Sequence, residues 1–352
     1  MSVLEVRRDD LASARLIEES SAVLTDGEAL LAVEHFGLTA NVVTYATVGD
    51  ALGYWRFFPA AEAGWGRIPA WGFAEVVASA AEALAEGERL FGLVPMASHM
   101  VLVPEERHGA VVDAAPHRAT LPGAYNVYRR VRDHAEDDAR ELVLRPLLHL
   151  CFLLADQLRA ERCSGADQVL LTSASSKTAL GLAHQLAGAG VRIAGLTSAR
   201  NATFVRDVGI YDEVVTYDEL ERLDPAVATG AVDMAGDPVL RGRVHEHFAD
   251  ALRQSVLVGA THGRPDPFAA GNGLPGPVPA FFLVPERLRV RSRVWGHAAL
   301  EARTEAALAE LEAWSEGWLS VEHATGPDEA LAAYRAVQAG EARPDVARVA
   351  SL

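Results

Sequence analysis

The run Val169-Leu170-Leu171-Thr172-Ser173-Ala174-Ser175-Ser176-Lys177-Thr178-Ala179-Leu180 constrains the fold of this chain more than any other stretch. An apolar, strand-like segment passes through a turn of small residues directly into an amphipathic helix, the opening of a βαβ unit. The pattern repeats downstream. Strands are predicted over 168–172, 192–196, 213–216, 231–234 and 255–258, with helices over 178–189, 202–208 and 238–248. Brief apolar strands alternating with helices require a parallel sheet covered on both faces. Helices over 298–314 and 327–339 complete the chain, and a Pro/Gly-rich loop over 264–279 interrupts the order as a flap or an inert surface loop.

The first part of the chain reads differently. From Gly27 to about Pro104, short alternating or β-branched runs are broken by Gly and Pro, which indicates a β-rich domain with strands over 29–33, 74–79 and 100–103. Between them, Tyr54-Trp55-Arg56-Phe57-Phe58-Pro59 and Trp65 to Gly72 read as loop and aromatic wall. With 352 residues, half of them hydrophobic and 23% charged, the chain has length for two domains and apolar area for their cores.

A formal charge of −16 repels phosphate backbones and anionic lipid, so nucleic acid and a membrane surface are excluded as main partners. Two cysteines, Cys151 and Cys163, support neither a disulfide framework nor a thiolate zinc site. Arg7, Arg8, Asp9 and Asp10 stand where a signal peptide needs an apolar run, and Leu147 to Ala155 is too short to span a bilayer. A cytoplasmic protein acting on a small molecule is expected.

The turn carries the chemistry. A helix N-terminus after a parallel strand is where a dinucleotide pyrophosphate rests on free N–H groups. Glycines normally shape that turn, whereas here Ser173, Ser175 and Ser176 do, with the Lys177 ammonium and Thr178 beside them and Gly181 serving helix–sheet packing. Simple capping of the helix by serine is the competing reading. A nucleotide-triphosphate loop is excluded because its two glycines are missing. About 20 residues on, where an acid would accept the ribose hydroxyl of NADH, the chain has Gly195-Leu196-Thr197-Ser198-Ala199-Arg200-Asn201. Ser198 and Arg200 suit a 2′-phosphate, so NADPH is the expected cofactor. Gly236 and Gly259 follow later strand ends at the ligand side of the sheet, where small residues admit a nicotinamide; Asp233 and His262 sit beside them as catalytic or merely structural groups.

These features together resemble the medium-chain dehydrogenase/reductase superfamily in its zinc-free quinone and enoyl reductase branches. Gly27 to Val33 followed by Gly37-Leu38-Thr39-Ala40-Asn41 is similar to its opening strand and Asn-containing active-site loop. Gly72 to Ser79 and Gly87 to Gly92 resemble its central strands, and Leu147 to Leu158 the helix beneath the nicotinamide. The tryptophan-rich walls, Ser-Ala-Ser-Ser-Lys-Thr-Ala and Gly-Leu-Thr-Ser are most similar to an outlying domain-of-unknown-function family of this layout. The resemblance implies an α/β chain with a GroES-like β-rich catalytic domain (1–145), a Rossmann-type doubly wound parallel-sheet cofactor domain (146–297) and a C-terminal return to the first domain (298–352). The catalytic Cys, Gly-His-Glu motif and four-Cys lobe of the zinc alcohol dehydrogenases have no counterpart, so no metal is expected. His245 and His247 lie two residues apart on a helix and diverge by about 200°.

A metal-free reductase must stabilise an enolate or alkoxide and deliver a proton. The resemblance places Asn41 and Tyr45 in the active-site loop; Tyr54 and Arg56 follow, and His149 lies on the helix under the nicotinamide. His117-Arg118 and Tyr125 to Tyr128 are further cleft candidates, and core packing is the competing role for each ring. The expected function is NADPH-dependent reduction of an activated double bond or carbonyl, with a lyase or cyclase binding an anionic substrate at the Ser/Lys turn as the alternative. The resemblance also implies a homodimer through edge strands, for which Ala280 to Val284 and Leu288 to Trp295 supply β-prone runs.

Overall fold

Buried apolar residues alternate between two cores along the central strand of the second half of the chain. Val169 and Leu171 enter a cluster with Leu153, Leu154, Leu182 and Leu186, while Leu170 enters one with Leu196, Leu220 and Phe248. The computed structural model describes residues 1–107, 109–131, 138–258 and 273–352. It divides into two compact units, Met1–Val143 with Leu319–Leu352 and Leu144–Trp318.

The second unit holds a six-stranded parallel sheet in the order Glu213–Thr216, Arg192–Thr197, Gln168–Thr172, Thr229–Asp233, Leu252–Leu257, Ala280–Phe281. In chain order this is 3-2-1-4-5-6, the doubly wound arrangement whose direction reverses beside Gln168–Thr172 and opens a crevice at the strands' carboxyl ends. Every residue of Gln168–Thr172 and of Thr229–Asp233 is buried, because helices cover both faces.

The first unit is built on a nine-stranded sheet. Its path runs Ser320–Thr325, Val346–Ser351, Ala29–Gly37, Pro69–Ser79, Arg89–Pro95, Val127–Val131, Ala110–Asp113 and Pro104–Arg107, with His99–Leu102 also paired to Ala29–Gly37. Ser2–Arg7, Ala14–Glu18 and Trp65–Gly66 form a separate three-stranded sheet. Gly72 and Gly92 face one another across two strands. A Cβ on Gly72 would lie 2.9 Å from the His35 carbonyl oxygen, and one on Gly92 would lie 2.2 Å from the Tyr128 ring, so neither position admits a side chain.

Several expectations need correction. The segment from Trp65 to Gly72 is not a loop, since Trp65–Gly66 is a short strand of the three-stranded sheet and Pro69 to Gly72 begin the strand Pro69–Ser79, where Gly72 lets the chains approach. Residues 298–318 belong to the second unit rather than to the return, because Leu300 enters the same core as Val169 and Leu171. Leu288 to Trp295 is not a strand either. Val284–Trp295 is a helix with Pro285 in its first turn, and Val284, Leu288 and Trp295 lie against the core at helical spacing. Arg287 and Arg291, one turn apart, both hold Asp156. The alternation of apolar residues with arginines that suggested a strand is thus produced by a helix that half-buries one stripe. Of the 264–279 loop, residues 264–272 lie outside the described residues.

Candidate functional site

Ser173 follows the last residue of the central strand with φ +49°, a left-handed conformation that glycine adopts without strain. The turn needs this geometry, and serine accepts it. The Ser173 carbonyl takes a hydrogen bond from the Ser176 amide at 2.8 Å, and the Ser176 side chain caps the helix Lys177–Leu186 by accepting from the Ala179 amide at 3.2 Å. Ser175, Lys177 and Thr178 are half-buried at the helix start. The Asn201 amide donates to the Ser175 hydroxyl at 2.9 Å, tying the turn to the loop after Arg192–Thr197. On that loop Ser198 is half-buried and Arg200 exposed. A Cβ on Gly181 would lie 3.0 Å from the Cys151 sulfur, so Gly181 does serve close packing, here against the helix Asp138–Ala160.

Behind the turn lies a buried polar cluster. Asp233 Oδ1 accepts from Thr172 Oγ1 and from the Ala235 and Gly236 amides, each at 3.0 Å, and Oδ2 faces Arg241 at 3.4 Å. Burial raises the Asp233 pKa, and these donors oppose it. Asp233 is therefore a turn-capping residue. Gly236, with φ +65°, commits its amide to that carboxylate. Gly259 and His262 lie outside the described residues.

Two residues that sequence reasoning passed over stand beside this turn. Tyr217, directly after the strand Glu213–Thr216, brings its hydroxyl to 3.4 Å from Ser173 Oγ and lines an open pocket of about 160 Å³ with Ala235, Asp237, Val239, Leu240 and Arg243. Thr197, fully buried at the end of its strand, has a hydroxyl with no partner among the described residues. A polar group at the carboxyl end of a parallel strand is the signal that would have found both.

In the first unit, Asn41 and Tyr45 sit on a helix, Ala40–Thr47, rather than in a loop. Thr39 caps it by accepting from the Asn41 amide, and the spacing of four places both side chains on one face. Tyr45 stacks on Tyr54 with centroids 4.5 Å apart and accepts from Trp71 Nε1 at 3.1 Å. The Tyr54 and Tyr125 hydroxyls are 2.9 Å apart. Burial holds both Tyr45 and Tyr54 far above the ordinary phenol pKa. Beneath them, Arg118 pairs with Asp113 at 2.9 Å and lies over Phe58, while His117 Nε2 faces the Phe57 carbonyl at 3.2 Å. These two are supports of the cluster. Arg56 is held by Thr120.

His149 belongs to the second unit and is exposed, so it has no core-packing role. Protein crowding its ring lowers its pKa, as does the Arg145 cation one turn earlier. His245 is fully buried between Ser255 Oγ at 2.9 Å and the Pro275 carbonyl at 2.8 Å, whereas His247 meets the Leu223 carbonyl. Their partners lie on different elements, as divergent helix positions require. Among the described residues no group of three or more His, Cys, Asp or Glu is placed to hold a metal ion, and no helix is long and apolar enough to cross a membrane.

Known structures share this architecture along their whole length. CurA from Vibrio vulnificus in complex with NADPH matches 100% of this chain and 99% of its own, with TM-score 0.64 and 13% identity. The quinone oxidoreductase of Pseudomonas syringae pv. Tomato DC3000 matches over 100% and 99% (TM-score 0.61, 12% identity), and the yhdH oxidoreductase from Salmonella enterica in complex with NADP over 100% of both chains (0.53, 16%). At such identities the likeness establishes the fold, that of the medium-chain dehydrogenase/reductases, with its β-rich and parallel-sheet parts. No curated protein matches the sequence. The sequence from residue 36 to residue 343 does match one family across most of the chain, and the protein accordingly belongs to the family described as "Protein of unknown function (DUF2855)".

Proposed function

We propose that this chain is an NADPH-dependent reductase that works without a metal on an activated double bond or carbonyl of a small apolar or aromatic substrate. The observation that carries the reading is the left-handed Ser173 at the mouth of a capped helix, on the central strand of a doubly wound sheet. That backbone is the one a dinucleotide pyrophosphate needs, and it is achieved without glycine. The Thr197 hydroxyl at the next strand end, without a partner among the described residues, fits a polar ligand. Support comes also from the fold, which this chain shares with structures bound to NADPH and NADP.

Ser173, Ser175, Ser176, Lys177 and Thr178 would hold the pyrophosphate, Ser198 and Arg200 the 2′-phosphate, and the pocket beside Tyr217 the adenosine. Gly236 shapes the turn that follows, and Gly259 is assigned to the nicotinamide end. Bound NADPH supplies a hydride. The chain must then supply neutral donors for the substrate oxygen, a task we assign to Tyr45 and Asn41, with Tyr54 acting through its hydroxyl neighbour Tyr125 and His149 as a further proton donor.

Assembly as a homodimer is part of the proposal, through the edge strand Ala280–Phe281 and the helix after it rather than through a second strand. Phe281, Leu283, Val290 and Val294 are 43–64% exposed there, a group of apolar side chains that a partner would cover.

The deciding experiment titrates the protein with NADPH and NADH, following the fluorescence of its six tryptophans, then follows NADPH oxidation with 2-enals and quinones. Saturable binding of NADPH with turnover is expected. Binding of inorganic phosphate esters without NADPH binding would favour a non-redox lyase or cyclase and overturn the reading.

A further inference from the structure

Three tyrosines of the first unit form a triangle, with ring centroids 4.5 Å apart for Tyr45 and Tyr54, 5.5 Å for Tyr54 and Tyr125, and 6.3 Å for Tyr45 and Tyr125. Each phenol carries one hydrogen to donate. Tyr45 Oη accepts from Trp71 Nε1, and its own hydrogen meets no acceptor among the described residues. Between Tyr54 and Tyr125 one hydrogen is shared at 2.9 Å, which leaves the other without an acceptor among the described residues. Burial decides which one. Tyr54 is only 7% exposed and is locked between the Tyr45 and Phe57 rings, so its hydrogen would be stranded unless Tyr125 accepts it. Tyr125 is half-buried and keeps its own hydrogen available. The cluster thus presents two neutral O–H donors, Tyr45 and Tyr125, among aromatic faces.

We propose that Tyr45 and Tyr125, the latter polarised by Tyr54, form a binding site for the oxygen of a flat, conjugated ketone. The inference deepens the reductase reading and rests on it for the fate of the bound ketone. Neutral phenols suit this ligand class because they donate to an sp² oxygen without demanding a charge, and the rings pack on a planar apolar body. Burial keeps Tyr45 and Tyr54 protonated far above neutrality, so they act as donors and not as bases. Tyr125 lies in Gly123–Asn126, which leads into the strand Val127–Val131, far along the chain from the helix that carries Asn41 and Tyr45. The tertiary fold alone assembles the site.

The test needs no cofactor. Acetophenone and α-methylstyrene have nearly the same shape, and only the ketone accepts a hydrogen bond. Ligand-observed NMR titration of the full-length protein should show acetophenone bound roughly ten-fold more tightly. Tyr125→Phe should cut that preference about five-fold, the scale of one neutral hydrogen bond, and leave the hydrocarbon's affinity unchanged. Tyr45→Phe should do the same, and it decides the matter if Tyr125→Phe fails to fold by near-UV circular dichroism. Equal affinities in the wild type, or a preference that survives in a folded variant, would overturn the two-donor site. A ketone preference in a protein that does not bind NADPH would overturn the reductase reading and leave this site standing.

Discussion

Thr172 Oγ1 donates to Asp233 Oδ1 at 3.0 Å while accepting from the Met234 and Ala235 amides at 2.9 and 3.0 Å. One hydroxyl therefore joins the carboxyl ends of the two central strands at the point where the sheet reverses direction. Both residues are buried, so the bonds cannot be replaced by water without opening the structure. Thr172→Val keeps the shape and removes the hydroxyl, leaving the Met234 amide without its acceptor and the Asp233 carboxylate short of one donor, while the Ala235 amide keeps Asp233 Oδ1. A loss of about 1–3 kcal/mol in urea unfolding is expected.

Serine at φ +49° costs roughly 1 kcal/mol relative to glycine, which offsets the entropy that glycine loses on folding. Ser173→Gly should therefore leave stability within about 0.5 kcal/mol of wild type. Ser173→Val, β-branched in a left-handed position, should be less stable than Ser173→Gly by about 2 kcal/mol. Parallel thermal melts of the two variants provide the check, and equal stabilities would contradict the backbone geometry.

Arg200 carries the choice between cofactors in the proposed function. Arg200→Ala should weaken NADPH by about 1.5 kcal/mol, roughly ten-fold in Kd, and leave NADH unchanged. Calorimetric titration with both nucleotides would expose a wrong assignment as an equal loss for the two.

Tyr45, Tyr54, Tyr128, Tyr211, Tyr217 and Tyr334 have raised pKa values, with burial the first cause in each. Tyr128 is pushed up to about 12. A group whose pKa is higher in the folded state contributes its full stability below its unfolded pKa, about 10 for tyrosine, and loses it as pH rises toward the folded value. Stability should thus be insensitive to these groups below about pH 9 and fall steeply above pH 10. Tyrosinate absorbance should appear together with unfolding, and Tyr54→Phe should flatten the fall.

The metal-free mechanism proposed above has a direct consequence. Overnight dialysis against a chelator should leave NADPH oxidation unchanged, and elemental analysis of the active protein should find no stoichiometric zinc. Activity lost to the chelator and restored by zinc would reveal a site.

The parallel-sheet unit was legible because its signals are local. The strands Gln168–Thr172 and Glu213–Thr216 and the helices Ala202–Val208 and Pro238–Phe248 carry the expected bounds. Apolar runs of four or five residues next to a 3.6-residue period admit one reading when they alternate. The serine turn was equally visible, since a small-residue turn between strand and helix is a sequence-local feature. The left-handed angle at Ser173 was not, because a serine, unlike a glycine, gives no local signal of a positive φ.

Other decisions belonged to tertiary packing. Leu288 to Trp295 carries an alternating pattern that fits a strand, yet Asp156 on a distant helix offers one carboxylate to Arg287 and Arg291 and thereby favours the helix. Trp65 to Gly72 reads as loop by composition, and Gly72 makes it strand because a neighbouring backbone passes 2.9 Å from where its Cβ would be. The sequence by itself determined the order of elements, the small-residue turn between strand and helix and the lack of cysteines for a thiolate zinc lobe, all of which can be read along the chain. Which polar groups meet was decided only by the fold. Tyr54 and Tyr125 are 71 positions apart, Thr172 and Asp233 61, and no local pattern encodes a contact that long-range burial creates.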